Sequence, residues 1–149
     1  MKNFDPVEIL IVEDNPDDAE LTLRALKKHN LANDLYVAED GQEALDFIFC
    51  RGQFISRHPA KPLKVIFLDL KLPKVGGLEV LKEIKSNPQT KKLPVVVITS
   101  SKEDPDIDAA YELGANGYVV KPVDFDDFVK AMQNTGLFWL LVNEAPKLL

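Results

Sequence analysis

Hydrophobic residues gather in five strand-length runs: Val7 to Val12, Leu35 to Ala38, Val65 to Leu68, Val95 to Ile98 and Tyr118 to Val120. These runs are rich in β-branched and aromatic residues, and several are apolar at successive positions. A strand with one wet face would alternate; a strand covered by helices on both faces need not. Between the runs the period becomes helical. After Asn15-Pro16, a capping residue followed by proline at the first helical position, Ala19, Leu23 and Leu26 recur at spacings of four and three. Further helices read as Gly41 to Phe49, Gly77 to Lys85, Asp104 to Leu113 and Phe125 onward. This alternation of strand and helix, with short connections, predicts an α/β fold whose right-handed crossovers build a doubly wound, five-stranded parallel sheet. One connection breaks the rhythm. Arg51 to Lys64, with Gly52, Pro59 and Pro62 amid mixed polarity, reads as a loop or partly ordered excursion.

Composition narrows the classes. A chain of 149 residues suits one domain. Its 18 Lys and Arg against 24 Asp and Glu leave a net charge of -6, the wrong sign for a phosphate backbone or an anionic membrane surface. No apolar run approaches the roughly 18 residues of a membrane span, and the first residues lack a signal-peptide stretch. The expectation is a cytoplasmic protein that binds neither nucleic acid nor membrane. A single cysteine, Cys50, forms no internal bridge and reads as a small hydrophobe at the end of the second helix; His29 and His58 read as surface residues.

Ligands on such sheets bind at the carboxyl ends of the strands. There the sequence places Glu13 and Asp14 after the first strand, Asp69 after the third, Thr99 and Ser100 at the fourth, and Lys121-Pro122 after the fifth. Singly, each has an ordinary explanation: an acidic pair favours the next helix dipole, a threonine ends a strand, a lysine is solvated. Converged, three carboxylates against one ammonium leave an anionic site of hard oxygens, which suits Mg²⁺ and a phosphate sharing its coordination sphere. No glycine-rich phosphate cradle is present, so the metal and Lys121 must neutralise any phosphoryl group that enters. Asp69 is then a candidate nucleophile that needs no general base, and Thr99 a donor to a phosphoryl oxygen.

Glu13-Asp14, Asp69 within Leu68-Asp69-Leu70-Lys71-Leu72-Pro73, Gly77, Thr99 and Lys121-Pro122 resemble the receiver domain of two-component response regulators, in unbroken order from about Ile9 to about Met132. The stretch from Asp14 to Asp69 is longer than the family pattern, and the Arg51 to Lys64 excursion accounts for the excess. The resemblance implies a flavodoxin-like (βα)5 fold of strand order 2-1-3-4-5, with 1–149 as a single receiver domain: a core of about 7–132 and a C-terminal helical extension or tail over 133–149. It implies that Asp69 accepts a phosphoryl group from a phosphohistidine. It further implies that Glu13, Asp14, Asp69 and the backbone carbonyl of Lys71 hold Mg²⁺, that Lys121 pairs with the phosphoryl oxygen, and that the Lys121–Pro122 bond is cis. Thr99 and Tyr118 are the implied switch pair, and Asn15, Pro16, Leu21 and Pro122 the implied kinase-docking surface. Within the family, the long second crossover and Phe138-Trp139 resemble the single-domain regulators that partner cyanobacterial phytochromes and similar sensor kinases.

Phe125, Phe128, Val129 and Met132 form a core stripe at helical spacing. If the helix continues through Gly136, Phe138 and Leu141 project from the opposite side and mark an interface for a homodimer. If Gly136 ends it, the tail folds back onto the body. The function expected is a stand-alone, non-enzymatic phosphoacceptor that takes its phosphoryl group from a sensor histidine kinase or a phosphotransfer protein and signals by altered protein contacts. Two alternatives stay open. A Mg²⁺-dependent aspartyl-phosphate hydrolase of the haloacid-dehalogenase type usually carries a second carboxylate two residues after its nucleophile, where this chain has Lys71. A receiver-like binding module would not be phosphorylated.

Overall fold

In the computed structural model of the chain, residues 9–28, 35–57, 63–139 and 143 are described. The apolar runs become strands β1 (Ile9–Val12), β2 (Leu35–Ala38), β3 (Val65–Leu68), β4 (Val95–Thr99) and β5 (Gly117–Val120). Between and after them lie helices α1 (Pro16–Lys28), α2 (Gly41–Ile48), α3 (Gly77–Ser86), α4 (Asp104–Glu112) and α5 (Phe125–Leu137). All strand pairs are parallel in the order β2-β1-β3-β4-β5, with Ile11 beside both Val37 and Phe67 and Thr99 beside Val120.

Alternate residues of each central strand serve different cores, which is why these strands are apolar throughout. Leu10, Val12, Ile66, Leu68, Val95 and Val97 face a cluster with Leu45, Phe47, Val80, Leu81 and Ile84 from α2 and α3. Ile9, Ile11, Val65, Phe67, Val96 and Ile98 face the second cluster, with Ala25 and Leu26 from α1 and Phe128 and Met132 from α5. Burying such side chains stabilises by about 1.5–3 kcal/mol each, and the two layers hold β1, β3 and β4 with no wet face. Local signals set the helix starts. Asn15 Oδ1 accepts from the N–H groups of Asp17 and Asp18 (2.9 and 3.2 Å), Asp40 Oδ1 from Glu43 (2.7 Å), and Asp124 Oδ1 from Asp127 (3.1 Å).

In two stretches the structure decides what the sequence left open. The excursion after α2 contains a short 3-10 helix, Gly52–Phe54, and is anchored in the core. Phe54 is buried edge-on to Phe47 and Tyr36, with centroids 5.1 and 5.3 Å apart. Arg57 is buried too, its guanidinium 4.1 Å over the Phe47 ring and donating to Phe47 O (2.9 Å) and Cys50 Sγ (3.4 Å). No hydrophobic period announces these anchors, because a single aromatic and a stacked arginine do the packing. Cys50 is half-buried and takes a left-handed backbone conformation. Second, α5 runs through Gly136, which is buried, so tertiary packing outweighs glycine's poor helix propensity. Phe138 is 48% exposed, while Trp139 is half-buried against the second core. Leu141, His29 and His58 lie outside the described residues.

Candidate functional site

The ladder continues one residue past three strands and so aligns the chemistry. Glu13 N–H donates to Ala38 O (3.0 Å), Asp69 N–H to Val12 O (3.0 Å) and Lys121 N–H to Thr99 O (2.7 Å). Each functional residue is thereby fixed directly beyond a strand end on one sheet edge. Glu13 and Asp69 are buried at 6% and 7% exposure, whereas Asp14 faces solvent. One oxygen from each of Glu13, Asp14 and Asp69 lies within 4.8 Å of the others. Their donor set is all carboxylate, and no His or Cys joins it among the described residues. Such a set fits a hard divalent cation such as Mg²⁺ or Mn²⁺ and not zinc or copper.

Opposite them, the Lys121 ammonium spends its three hydrogens on three acceptors: Glu13 Oε1 at 2.5 Å, Asp18 Oδ2 at 3.0 Å and Asp69 Oδ2 at 3.0 Å. Burial pushes the Glu13 carboxyl up to about 7 against the pull of Lys121, and the Asp69 charge adds to the rise. Burial works to lower the Lys121 ammonium, but its contacts with Glu13, Asp69 and Asp18 outweigh that and hold it above its ordinary value. Among the described residues, the Lys121 ammonium is thus shared by three carboxylates, which leaves this edge short of positive charge.

The loop between β3 and α3, which carries Lys71, is held by close backbone approach. Lys71 N–H donates to Asp69 Oδ1 at 3.3 Å. Gly77 N–H donates to Leu70 O at 2.9 Å, and a Cβ at Gly77 would collide with the Asp69 carbonyl oxygen. Only glycine leaves room for that crossing. Thr99 is fully buried at the end of β4 and accepts at Oγ1 from Ser101 N–H (3.4 Å). Tyr118 is half-buried on β5; its hydroxyl donates to Ser101 O at 2.9 Å, and Ser101 Oγ meets Asp106 Oδ2 at 2.5 Å. Thus the connection from β4 to α4 is tied to both Thr99 and Tyr118.

One expectation is corrected. Every peptide bond among the described residues is trans, including Lys121–Pro122. Trans is the lower-energy form before proline by about 0.5–1 kcal/mol, and with it the Lys121 ammonium already reaches its carboxylates. Sequence reasoning also missed Asp18. An acid in a first helical turn reads as a partner of the helix dipole, and its place one turn after Asp14 was the available signal.

A family model for the response regulator receiver domain matches residues 9–133. The chain belongs to the response regulator receiver family. Response regulator Rcp1 of Synechocystis sp. is 40% identical over 135 residues, covering 91% of this chain and 90% of Rcp1. The crystal structure of Mn(2+)-bound Rcp1 superposes with a TM-score of 0.86 at 38% identity, covering 93% of this chain and 97% of that one. The phosphorylated cyanobacterial phytochrome response regulator RcpA gives 0.86 at 35% identity, covering 93% and 96%. The bacteriophytochrome response regulator AtBRR is 54% identical, with a TM-score of 0.71 and coverage of 91% and 96%. The fold is thus the flavodoxin-like receiver fold, in two-component signalling, and receivers of this kind bind a divalent metal. No helix among the described residues is long and apolar enough to cross a membrane.

Proposed function

We propose that this receiver is a stand-alone phosphoacceptor that takes a phosphoryl group on Asp69 from the phosphohistidine of a sensor kinase or phosphotransfer protein. The observation that carries the proposal is the Lys121 ammonium bonded to Asp69 on one side of a carboxylate trio able to share one cation. Glu13, Asp14, Asp69 and the backbone carbonyl of Lys71 would hold Mg²⁺, which when bound supplies neutralisation of phosphoryl charge and a template for its oxygens. An Asp69 carboxylate oxygen attacks phosphorus; the O–P bond forms as the N–P bond of the donor breaks. Its electron pair returns to the imidazole nitrogen. Lys121 stabilises charge on the transferring group and Thr99 donates its hydroxyl to a phosphoryl oxygen.

Movement of Thr99 toward that group carries Ser101, and the Tyr118 hydroxyl bonded to it, so phosphorylation reshapes the surface formed by β4, α4 and β5. Output then runs through protein contacts in the cytoplasm. The kinase docks beside the site at Asn15, Pro16, Leu21 and Pro122, and the exposed Phe138 provides a homodimer contact. Kinship with regulators named for phytochromes supports a phytochrome-like kinase as the donor, and coverage of over nine-tenths of RcpA's length supports the single-domain reading. Incubation with Mg²⁺ and acetyl phosphate followed by intact mass tests the reaction. A single phosphoryl gain that requires Mg²⁺ and disappears in Asp69→Asn is the expected result. Repeated turnover of phosphomonoesters would indicate a hydrolase, and no gain a binding module.

A further inference from the structure

The ammonium of Lys121 is held from three directions, by Glu13 after β1, Asp18 in α1 and Asp69 after β3. Glu13 and Asp69 are also members of the trio whose oxygens lie within 4.8 Å of one another; Asp18 is not. A carboxylate oxygen that ligates a cation is a poorer acceptor for an ammonium, and Asp69 gives up a further oxygen when it is esterified. Lys121 therefore risks losing two of its three anchors at the moment its charge is needed.

Asp18 is built to remain. Its N–H is held by Asn15 Oδ1 at 3.2 Å and its carbonyl accepts from the Thr22 hydroxyl at 3.0 Å, which fixes its backbone in the first turn of α1. Its side chain is 28% exposed against 9% for Lys121, so its charge carries a smaller desolvation cost than those of its two companions.

We propose that Asp18 is a positioning residue, the acceptor that keeps the Lys121 ammonium aimed across the site while Glu13 and Asp69 serve the cation and the phosphoryl group. This rests on the phosphoacceptor reading above. It assigns Asp18 no role as metal ligand and none in contact with the transferring group. Removing its carboxylate leaves a long, rotatable side chain to find its own way to the phosphoryl oxygen, so the effect falls on the rate with metal saturating and not on metal affinity.

Two measurements on the full chain test it. Lysine-selective NMR of the side-chain ammonium follows Lys121 as Mg²⁺ alone is added. In the wild type the Lys121 Nζ protons are expected to stay protected from solvent exchange throughout; in Asp18→Ala protection is expected to collapse once Mg²⁺ is present and to return in Asp18→Glu. Loss of protection in the wild type on adding Mg²⁺ overturns the proposal, even if the alanine variant fails to fold. Phosphorylation by acetyl phosphate at saturating Mg²⁺ should slow about fivefold to tenfold in Asp18→Ala, with Mg²⁺ affinity within about twofold of wild type. An unchanged rate, or a large change in Mg²⁺ affinity with the saturated rate intact, overturns it. Failure of the wild type to gain a phosphoryl group would instead sink the phosphoacceptor reading, and the NMR result would still read out the Lys121 anchor.

Discussion

Replacing Lys121 with methionine removes the ammonium bonded to the buried carboxylates of Glu13 and Asp69 while keeping most of the apolar stem. The Lys121 side chain is 9% exposed and those of Glu13 and Asp69 are 7% and 9% exposed, so neither acid can turn fully to water. Stripping one partner from a buried ion pair costs about 3–5 kcal/mol. Lys121→Met in EDTA at pH 7.5 should therefore lose about 3–5 kcal/mol in urea unfolding followed by circular dichroism, equivalent to a fall of about 6–20 °C in Tm. Two signatures separate charge from packing. The loss should shrink toward pH 5, where an orphaned carboxyl takes up a proton at a smaller cost, and millimolar Mg²⁺ should restore much of it. A loss under about 1 kcal/mol at pH 7.5, or the same loss at both pH values, would refute the electrostatic account of the site.

Glu13 carries its own pH signature in the metal-free protein. Because burial raises its folded-state pKa to about 7 from 4.5, its contribution is fully present below the ordinary value and is lost as pH rises through about 7. Glu13→Gln should accordingly gain stability relative to wild type between about pH 5 and about pH 8 in EDTA, and a flat difference would contradict the assignment. Phe54→Ala should cost about 3–5 kcal/mol in the urea midpoint, since the ring is buried against Phe47 and Tyr36; a cost under about 1.5 kcal/mol would mean that the excursion lies outside the core. Gly77→Ala must move either the helix or the Asp69 carbonyl, and should cost about 1–3 kcal/mol and slow phosphorylation; unchanged stability and rate would show that the crossing at Gly77 is loose.

The strands could be read directly because the physics that buries them is written in consecutive positions: Val95, Val96, Val97 and Ile98 must all be apolar when alternate residues serve two cores. The start of α1 was equally plain, since Asn15 and Pro16 each supply a separate helix-start preference and both are used. At the site, Glu13, Asp14, Asp69, Thr99 and Lys121 became legible through their common place at strand ends. What escaped depends on three-dimensional coincidence. Arg57 stacks on Phe47 ten positions earlier, and Asp18 reaches Lys121 across 103 positions of chain. Neither leaves a periodic trace. At Gly136 the sequence left two paths open, and packing of α5 against the second core selects the helical one.

Sodium borohydride reduces an aspartyl phosphate to homoserine, which marks the phosphorylated position permanently. After brief treatment with acetyl phosphate and Mg²⁺, borohydride trapping and peptide sequencing by tandem mass spectrometry should find homoserine at position 69, with none when Mg²⁺ is replaced by EDTA. Homoserine at 14, 2-amino-5-hydroxypentanoic acid (the reduction product of a glutamyl phosphate) at 13, or no reduced residue at all, would contradict the assignment of Asp69 as the acceptor held between a divalent cation and Lys121.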